Sequence, residues 1–211
     1  MDDTVVIALF RHGLTEGNKR HAYLGWTDSP LCPDAKRKLG KPDARYSMLF
    51  SSNLGRCLET SRLLFPQLHP QLMSELREMH FGEWEGKVFE ELKEDPHYQK
   101  WLSEPFTAKV PGGESFSDFA LRVEMGWNEI TRKIKEKKIA TAAVMTHGGV
   151  IRYLLSKFSP EKKDYWDWKI DHGAGYELVW EEDKWRRGER CTLLQAAPIM
   201  EKQNGSGSNT G

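Results

Sequence analysis

The sequence predicts an α/β fold whose buried central strands end at a common crevice, and three observations carry that expectation. Residues 5–10, Val-Val-Ile-Ala-Leu-Phe, are continuously apolar rather than alternating, the pattern of a strand covered on both faces. Residues 139–145 form a second such run, and each run leads into a His-Gly element, Arg11-His12-Gly13 and Thr146-His147-Gly148-Gly149. Ligands of open α/β sheets bind beyond the carboxyl ends of the strands, so two histidines distant in sequence are expected to face one site suited to phosphoryl transfer.

The elements follow in order. After the first strand, a polar stretch over 13–33 leads to a short helix at 34–39. A second strand at 47–51 follows, its apolar Met48-Leu49-Phe50 ending at Ser51-Ser52. Residues 53–65 read as a helix stopping before Pro66, with Leu54, Leu58, Leu64 and Phe65 on its apolar face and Arg56 in its first turn. Residues 76–81 read as a short extended piece. Residues 88–102 read as one or two helices interrupted at Pro96, and the stretch 84–112 as a cap or insertion over the site. The clearest helix is 115–137, where Phe116, Phe119, Val123, Trp127, Ile130 and Ile134 recur at spacings of three and four and make one stripe. Ser115 and Asp118 have capping-box spacing, and Lys133, Lys135, Lys137 and Lys138 form a solvated face that complements the helix dipole. The strand at 139–145 exits at His147 into a helix over 149–158. Residues 176–180 and 191–196 read as an edge hairpin around a polar turn at 181–190, and residues 201–211 as a flexible polar tail.

A chain of 211 residues suits one well-buried domain, expected over residues 1–200. The 31 basic and 31 acidic residues balance, so nothing in the overall charge argues for nucleic acid or an anionic membrane as partner. Cys32, Cys57 and Cys191 lack any Cys-x-x-Cys or zinc-like spacing and read as reduced thiols. The N-terminal residues lack a basic signal-peptide region, and the apolar run after them is too short to span a membrane, so a cytoplasmic location is expected.

Phosphoryl transfer needs cationic and N–H donors around the equatorial oxygens, an in-line nucleophile, and an acid for the leaving oxygen. Arg11 and His12 are adjacent, so a guanidinium can hold the phosphate beside an attacking imidazole, and Gly13 allows close backbone approach. Arg56 begins a helix, where its charge and free backbone N–H groups are expected to converge on one anion. For the acid, residues 76–86 offer Glu78, Glu83 and Glu85, and composition does not choose among them. A metal centre built from His12, His80, His147 and His172 is disfavoured: no His-x-x-x-His spacing occurs, and arginines beside the main histidines repel a cation.

Six blocks in order resemble the histidine phosphatase superfamily, the phosphoglycerate mutase-like fold. They are Arg11-His12-Gly13 with Thr15 and Asn18; residues 25–31; Ser51-Ser52 with Arg56 and Thr60; residues 76–86; Pro111-Gly112-Gly113-Glu114-Ser115; and residues 146–152. The resemblance implies a three-layer α/β/α sandwich with a mostly parallel central sheet, and a metal-independent phosphomonoesterase without a cofactor. It makes His12 the nucleophile that becomes phosphohistidine and Glu78 the proton donor. Arg11, Arg56 and His147 complete the phosphate pocket, with Asn18, Gly13, Thr15 and Gly148 around it. Leu14 and Gly17 depart from the pattern of many relatives, at the substrate end. Residues 97–111 contain no arginine, unlike the substrate-gripping insertion of the mutases, so hydrolysis is expected. The blocks look most like the branch of α-ribazole phosphate phosphatases and broad-specificity bacterial phosphatases, with a small phosphomonoester as substrate. Mutase-type transfer and an inactive phosphate-binding module are the alternatives. Trp84, Trp101, Phe106, Trp166, Trp168 and His172 are candidates for an aromatic wall beside the pocket.

Overall fold

The first apolar run forms β1 (Thr4–Arg11), and the alternation of its side chains divides the interior in two. The computed structural model describes residues 4–42 and 46–200, so the tail expected at 201–211 lies outside the described residues. After β1 come α1 (Glu16–Lys19), α2 (Pro33–Lys38), β2 (Lys41–Pro42), β3 (Met48–Ser52), α3 (Gly55–Leu64) and β4 (Gln71–Met73). Two 3-10 turns, Ser74–Leu76 and Gly82–Trp84, lead to α4 (Phe89–Leu92), α5 (Pro96–Ser103) and α6 (Phe116–Lys137). The chain ends through β5 (Thr141–Thr146), α7 (Gly148–Phe158), a 3-10 turn at Tyr165–Asp167, β6 (Gly175–Glu181), α8 (Glu182–Arg187), β7 (Leu193–Ala196) and β8 (Ile199–Met200).

Six strands make one sheet in the order β4-β3-β5-β1-β6-β7. β4, β3, β5 and β1 are parallel neighbours; β6 is antiparallel to both β1 and β7, so it alone runs against the rest. On one face Ile7 and Leu9 join Met48, Phe50, Ala142 and Val144 under Phe119, Val123 and Trp127 of α6 and Val150, Ile151 and Leu154 of α7. On the other, Ala8 and Phe10 join Leu49, Ala143 and Met145 under Cys57 and Leu64 of α3. The result is a three-layer α/β/α sandwich. Burial of each large apolar side chain in these layers contributes about 1.5–3 kcal/mol.

The stripe expected on α6 is buried from Phe119 to Ile134, and Ser115 caps the helix with Asp118 completing a capping box. Lys138 ends it in the left-handed region at φ 51°. Other expectations need correction. β4 was not expected: it is a three-residue edge strand with only Met73 buried, too short to show a period. Of the extended piece expected at 76–81, Leu76 closes a 3-10 turn, Arg77 is extended and irregular chain follows. The break expected at Pro96 is present as two helices, α4 and α5, with Pro96 at the first position of α5 after the Asp95 cap. The turn expected at 181–190 contains α8, stopped by Gly188 at φ 69°. Within 84–112, Trp84, Leu92, Tyr98, Trp101, Ala108 and Val110 are buried in the larger core. Among the described residues no helix is long and apolar enough to cross a membrane.

Replacing Ser115 by Ala leaves the Asp118 N–H of α6 without its cap and is expected to lower unfolding free energy by about 1 kcal/mol. Urea denaturation measures it, and an unchanged midpoint would show that the cap contributes nothing.

Candidate active site

The site is assembled by strand register. β1 and β5 pair in parallel from Val6↔Thr141 to Arg11↔Thr146, so the residues that follow, His12 and His147, leave the sheet side by side. The His12 N–H donates to Thr146 O at 3.0 Å, extending the ladder one residue further. The two rings lie 5.1 Å apart by centroid, and His172 lies 5.4 Å from His12 on another side. His12 is 4% exposed and His147 fully buried.

His12 Nδ1 lies 2.8 Å from Gly13 O. A carbonyl only accepts, so the neutral ring carries its proton on Nδ1 and leaves the Nε2 lone pair available. Gly13 N–H donates to Thr60 Oγ1 (2.9 Å), which in turn donates to Arg56 O (2.7 Å), tying the β1 exit to α3. His147 Nε2 lies 2.9 Å from Ser52 Oγ, at the end of β3.

Two guanidinium groups flank the histidines. Arg56 donates from Nη1 to Thr27 O (3.0 Å) and from Nη2 to Gly25 O (2.6 Å), while Arg11 donates from Nη1 to Ile170 O (2.7 Å). The Nε–H of each is buried without a protein acceptor. An unpaired buried donor is costly, and charged donors of this kind are matched by an oxyanion. A Cβ on Gly148 would sit 3.3 Å from Arg11 Nε, so bare backbone lets that guanidinium lie against the start of α7. The start of α3 behaves otherwise than expected: its Gly55 and Arg56 N–H groups donate to the Asp28 carboxylate, so they are not free for a second anion.

The structure separates the three carboxylates. Glu85 accepts from the N–H groups of Gly25, Trp26, Thr27 and Phe81 and so clamps a loop, and Glu83 is exposed. Glu78 alone of the three lines the cavity. Its oxygens accept from Gly149 N (2.9 Å) and Met79 N (3.0 Å), and a Cβ on Gly149 would fall 2.2 Å from Glu78 Oε1. Only glycine fits there. The Glu78 carbonyl is held by Trp26 Nε1 (3.0 Å) and Arg122 Nη2 (3.1 Å), which fixes an otherwise irregular segment.

A cavity of about 530 Å³ opens beside Glu78, with Arg11, Asn18, Gly149 and Arg152 among its walls; His12, His147, Arg56, Gly13 and Gly148 do not line it. Thr15 does not line it; Thr15 caps α1 and donates to Asn18 Oδ1 at 2.8 Å, holding that side chain. Of the aromatics expected as a wall, Trp101 and Trp166 line the cavity, whereas Trp84 and Trp168 are buried in the core. Phe106 packs at its rim against Trp166, and His172 stands beside His12 instead. Tyr23, Phe81, Phe116, Tyr165 and Arg152 also line the cavity, and the sequence pattern gives them no role at the pocket. For Arg152 there was a signal: it follows Gly149 by three residues on one helix face. His80 packs tilted against the Trp26 ring, 4.6 Å between centroids, and does not line the cavity. Among the described residues no group of three or more His, Cys, Asp or Glu is placed to hold a metal ion.

Residues 7–189 match the histidine phosphatase superfamily (branch 1). The chain belongs to this superfamily. Among similar members, the adenosylcobalamin/alpha-ribazole phosphatase of Escherichia coli is 27% identical over 79% of this chain and 85% of its own length. A 2,3-bisphosphoglycerate-dependent phosphoglycerate mutase of Gloeobacter violaceus is 28% identical over 74% of this chain and 78% of its own. In fold, the chain resembles the alpha-ribazole phosphatase of Shigella flexneri, with a TM-score of 0.75 at 24% identity over 94% of this chain and 96% of that one.

Within this superfamily member the histidines are kept neutral. Burial first, then Arg56, holds both His12 and His147 well below the ordinary imidazole value; burial and then Arg11 bring His172 down to about 4. The unfolded chain takes up these protons near pH 6.5. Below that pH the unfolded state binds more protons than the folded one, so stability falls with pH through the window from about 6.5 toward 4. Urea midpoints are expected to drop between pH 7 and pH 5, and His172→Asn to flatten the drop. A midpoint constant across that interval would contradict buried neutral histidines.

Proposed function

We propose that the protein is a metal-independent phosphomonoester hydrolase that works through a phosphohistidine on His12. The observation that carries this reading is the His12 ring itself, buried in the field of Arg56 and Arg11 with Nδ1 2.8 Å from Gly13 O, so that Nε2 is the nitrogen left for attack. Arg11, Arg56, His147, Gly13, Gly148 and Asn18 form the phosphate pocket, with Thr15 holding Asn18. In the first step Nε2 attacks phosphorus, the bond to the leaving oxygen breaks, and Glu78 in its acid form protonates that oxygen. In the second, water attacks the phosphohistidine, Glu78 takes the water proton, and inorganic phosphate leaves with His12 restored. Glu78 is held at the start of α7 by the Gly149 N–H, two residues after His147, which supports one carboxyl group serving both steps.

The substrate is a small phosphorylated metabolite taken up in the cytoplasm, α-ribazole 5′-phosphate or a wider range, with residues 84–112 supplying part of the wall around it. The alpha-ribazole phosphatases among the relatives support that choice. The mutase relative keeps phosphotransfer as the competing outcome.

The test is phosphate release from a panel containing an aryl phosphate, α-ribazole 5′-phosphate, nucleotides, sugar phosphates and 3-phosphoglycerate, in chelator, with wild type and His12→Ala in parallel. Release that vanishes in His12→Ala and with vanadate is expected. Isomerised phosphoglycerate without release would establish the mutase, and chelator-sensitive release would refute the metal-free mechanism.

Glu78→Gln is expected to slow esters of poor leaving groups by roughly 10²- to 10⁴-fold while sparing activated aryl esters. Gly149→Ala, which drives a methyl group into the Glu78 carboxylate, should act in the same direction. Equal loss for good and poor leaving groups would remove Glu78 from the acid's role.

A further inference from the structure

We propose that the apolar side of the cavity is a leaving-group chamber that selects phosphomonoesters whose alcohol carries an uncharged planar aromatic group. The proposal rests on the phosphatase reading and names its substrate class.

Beyond the Arg11 and Glu78 side, the wall is built from Leu24, Trp101, Leu102, Phe116, Tyr165 and Trp166. Its rings are fixed by one another. Tyr165 packs edge-on against Phe116 (5.4 Å) and Trp166 (4.8 Å), and Trp101 against Tyr23 (5.9 Å) and Phe81 (6.2 Å). Such a preformed surface costs a flat ligand little ordering. Gly17, one of the two positions that depart from many relatives, acts here: a Cβ would lie 2.5 Å from Leu24 Cδ1, so bare backbone lets Leu24 settle beneath the chamber.

The tyrosine hydroxyls of the wall are already engaged, and the Trp101 Nε1–H, which has no acceptor, is buried away from the cavity surface. Tyr165 OH donates to Gly149 O (3.3 Å), and Tyr23 OH shares a hydrogen bond with Tyr98 OH (2.6 Å). A sugar placed against this wall would lose water from its hydroxyls and find few partners, a penalty an aromatic group does not meet. Toward solvent the lining continues through Leu102 and Trp166, 48% and 52% exposed, with Phe106, 47% exposed, packed against Trp166. A ring laid on them buries apolar surface on both partners. Arg152, 5.9 Å from the Trp166 ring centroid, extends that face with a planar guanidinium. At about 530 Å³ the space accommodates one or two fused rings with the phosphate.

The experiment compares kcat/KM for benzyl and 2-naphthylmethyl phosphate with that for glycerol 1-phosphate and glucose 6-phosphate in wild type, Trp166→Ala and Trp166→Phe. The ratio between the two classes is the readout, so partial misfolding of a variant cancels. Wild type is expected to favour the aromatic esters by on the order of 10-fold or more, with Trp166→Ala abolishing most of the ratio through KM and Trp166→Phe keeping most of it. A wild-type ratio near one, or one untouched by Trp166→Ala, overturns the chamber. A preference for glucose 6-phosphate that disappears in Arg152→Gln overturns it in favour of a second anion or polar group held by Arg152. Calorimetry on the His12→Ala protein with benzylphosphonate against methylphosphonate reads the chamber without turnover. Tighter benzyl binding that Trp166→Ala removes supports it even if the phosphatase reading fails, and equal binding overturns it even if that reading stands.

Discussion

The parallel register of β1 on β5 is the constraint on which the rest of the molecule depends. Pairing Arg11 with Thr146 places His12 beside His147, and pairing Ser51 of β3 with Met145 brings Ser52 within reach of the same ring. Register also sorts the core. A one-residue slip would turn Ile7 and Leu9 toward α3 and Phe10 toward α6 and α7, exchanging two layers packed for different volumes. The apolar cost of that exchange is spread over dozens of side chains. The position of two imidazoles is therefore defended by the whole sandwich rather than by contacts of their own.

Electrostatics inside the site follow from how Arg56 is held. Its guanidinium is almost wholly buried, yet its shortest bonds go to the backbone carbonyls of Gly25 and Thr27, and Asp28 Oδ1 stands off at 3.4 Å. Carbonyl dipoles stabilise the cation without cancelling its charge. The remaining positive field acts with burial to keep His12 and His147 neutral, the form in which an imidazole nitrogen is nucleophilic. A buried carboxylate paired to Arg56 would stabilise the fold as well and remove that effect.

Features that rest on local pattern were legible in the sequence. The two apolar runs, the stripe on α6 with its Ser115 cap, and the His-Gly exits all became the elements expected of them. What was not legible depends on distant partners or on pieces too short to show a period. β4 is specified by the edge it pairs with, and α8 by Trp185 reaching the core from a mostly charged segment. Nothing in residues 76–86 distinguishes Glu78 from Glu85; the difference arises because the loop near Trp26 donates to one and α7 to the other. The wall was hard to read for the same reason, since Tyr165 faces the cavity while Trp168, three residues on, is buried in the core.

The start of α7 shows how these levels meet. Its Gly149 N–H, a ready donor for an anion, is taken by Glu78, just as the first N–H groups of α3 are taken by Asp28. Both helix N-termini near the site therefore hold carboxylates of the protein itself. In the proposed reaction Arg11 and Arg56 then carry the positive charge that meets the phosphate, each with an Nε–H that has no protein acceptor, beside the other groups of the proposed pocket. Under the proposed reaction, that division gives the guanidinium groups the phosphoryl oxygens and leaves the α7 N-terminus to hold the carboxyl group proposed to protonate the leaving oxygen. It also explains the glycine pair after His147. Gly148 gives the Arg11 guanidinium room and Gly149 gives the Glu78 carboxylate room, so adjacent missing side chains make place for the two groups to which the proposed reaction gives charge binding and proton transfer.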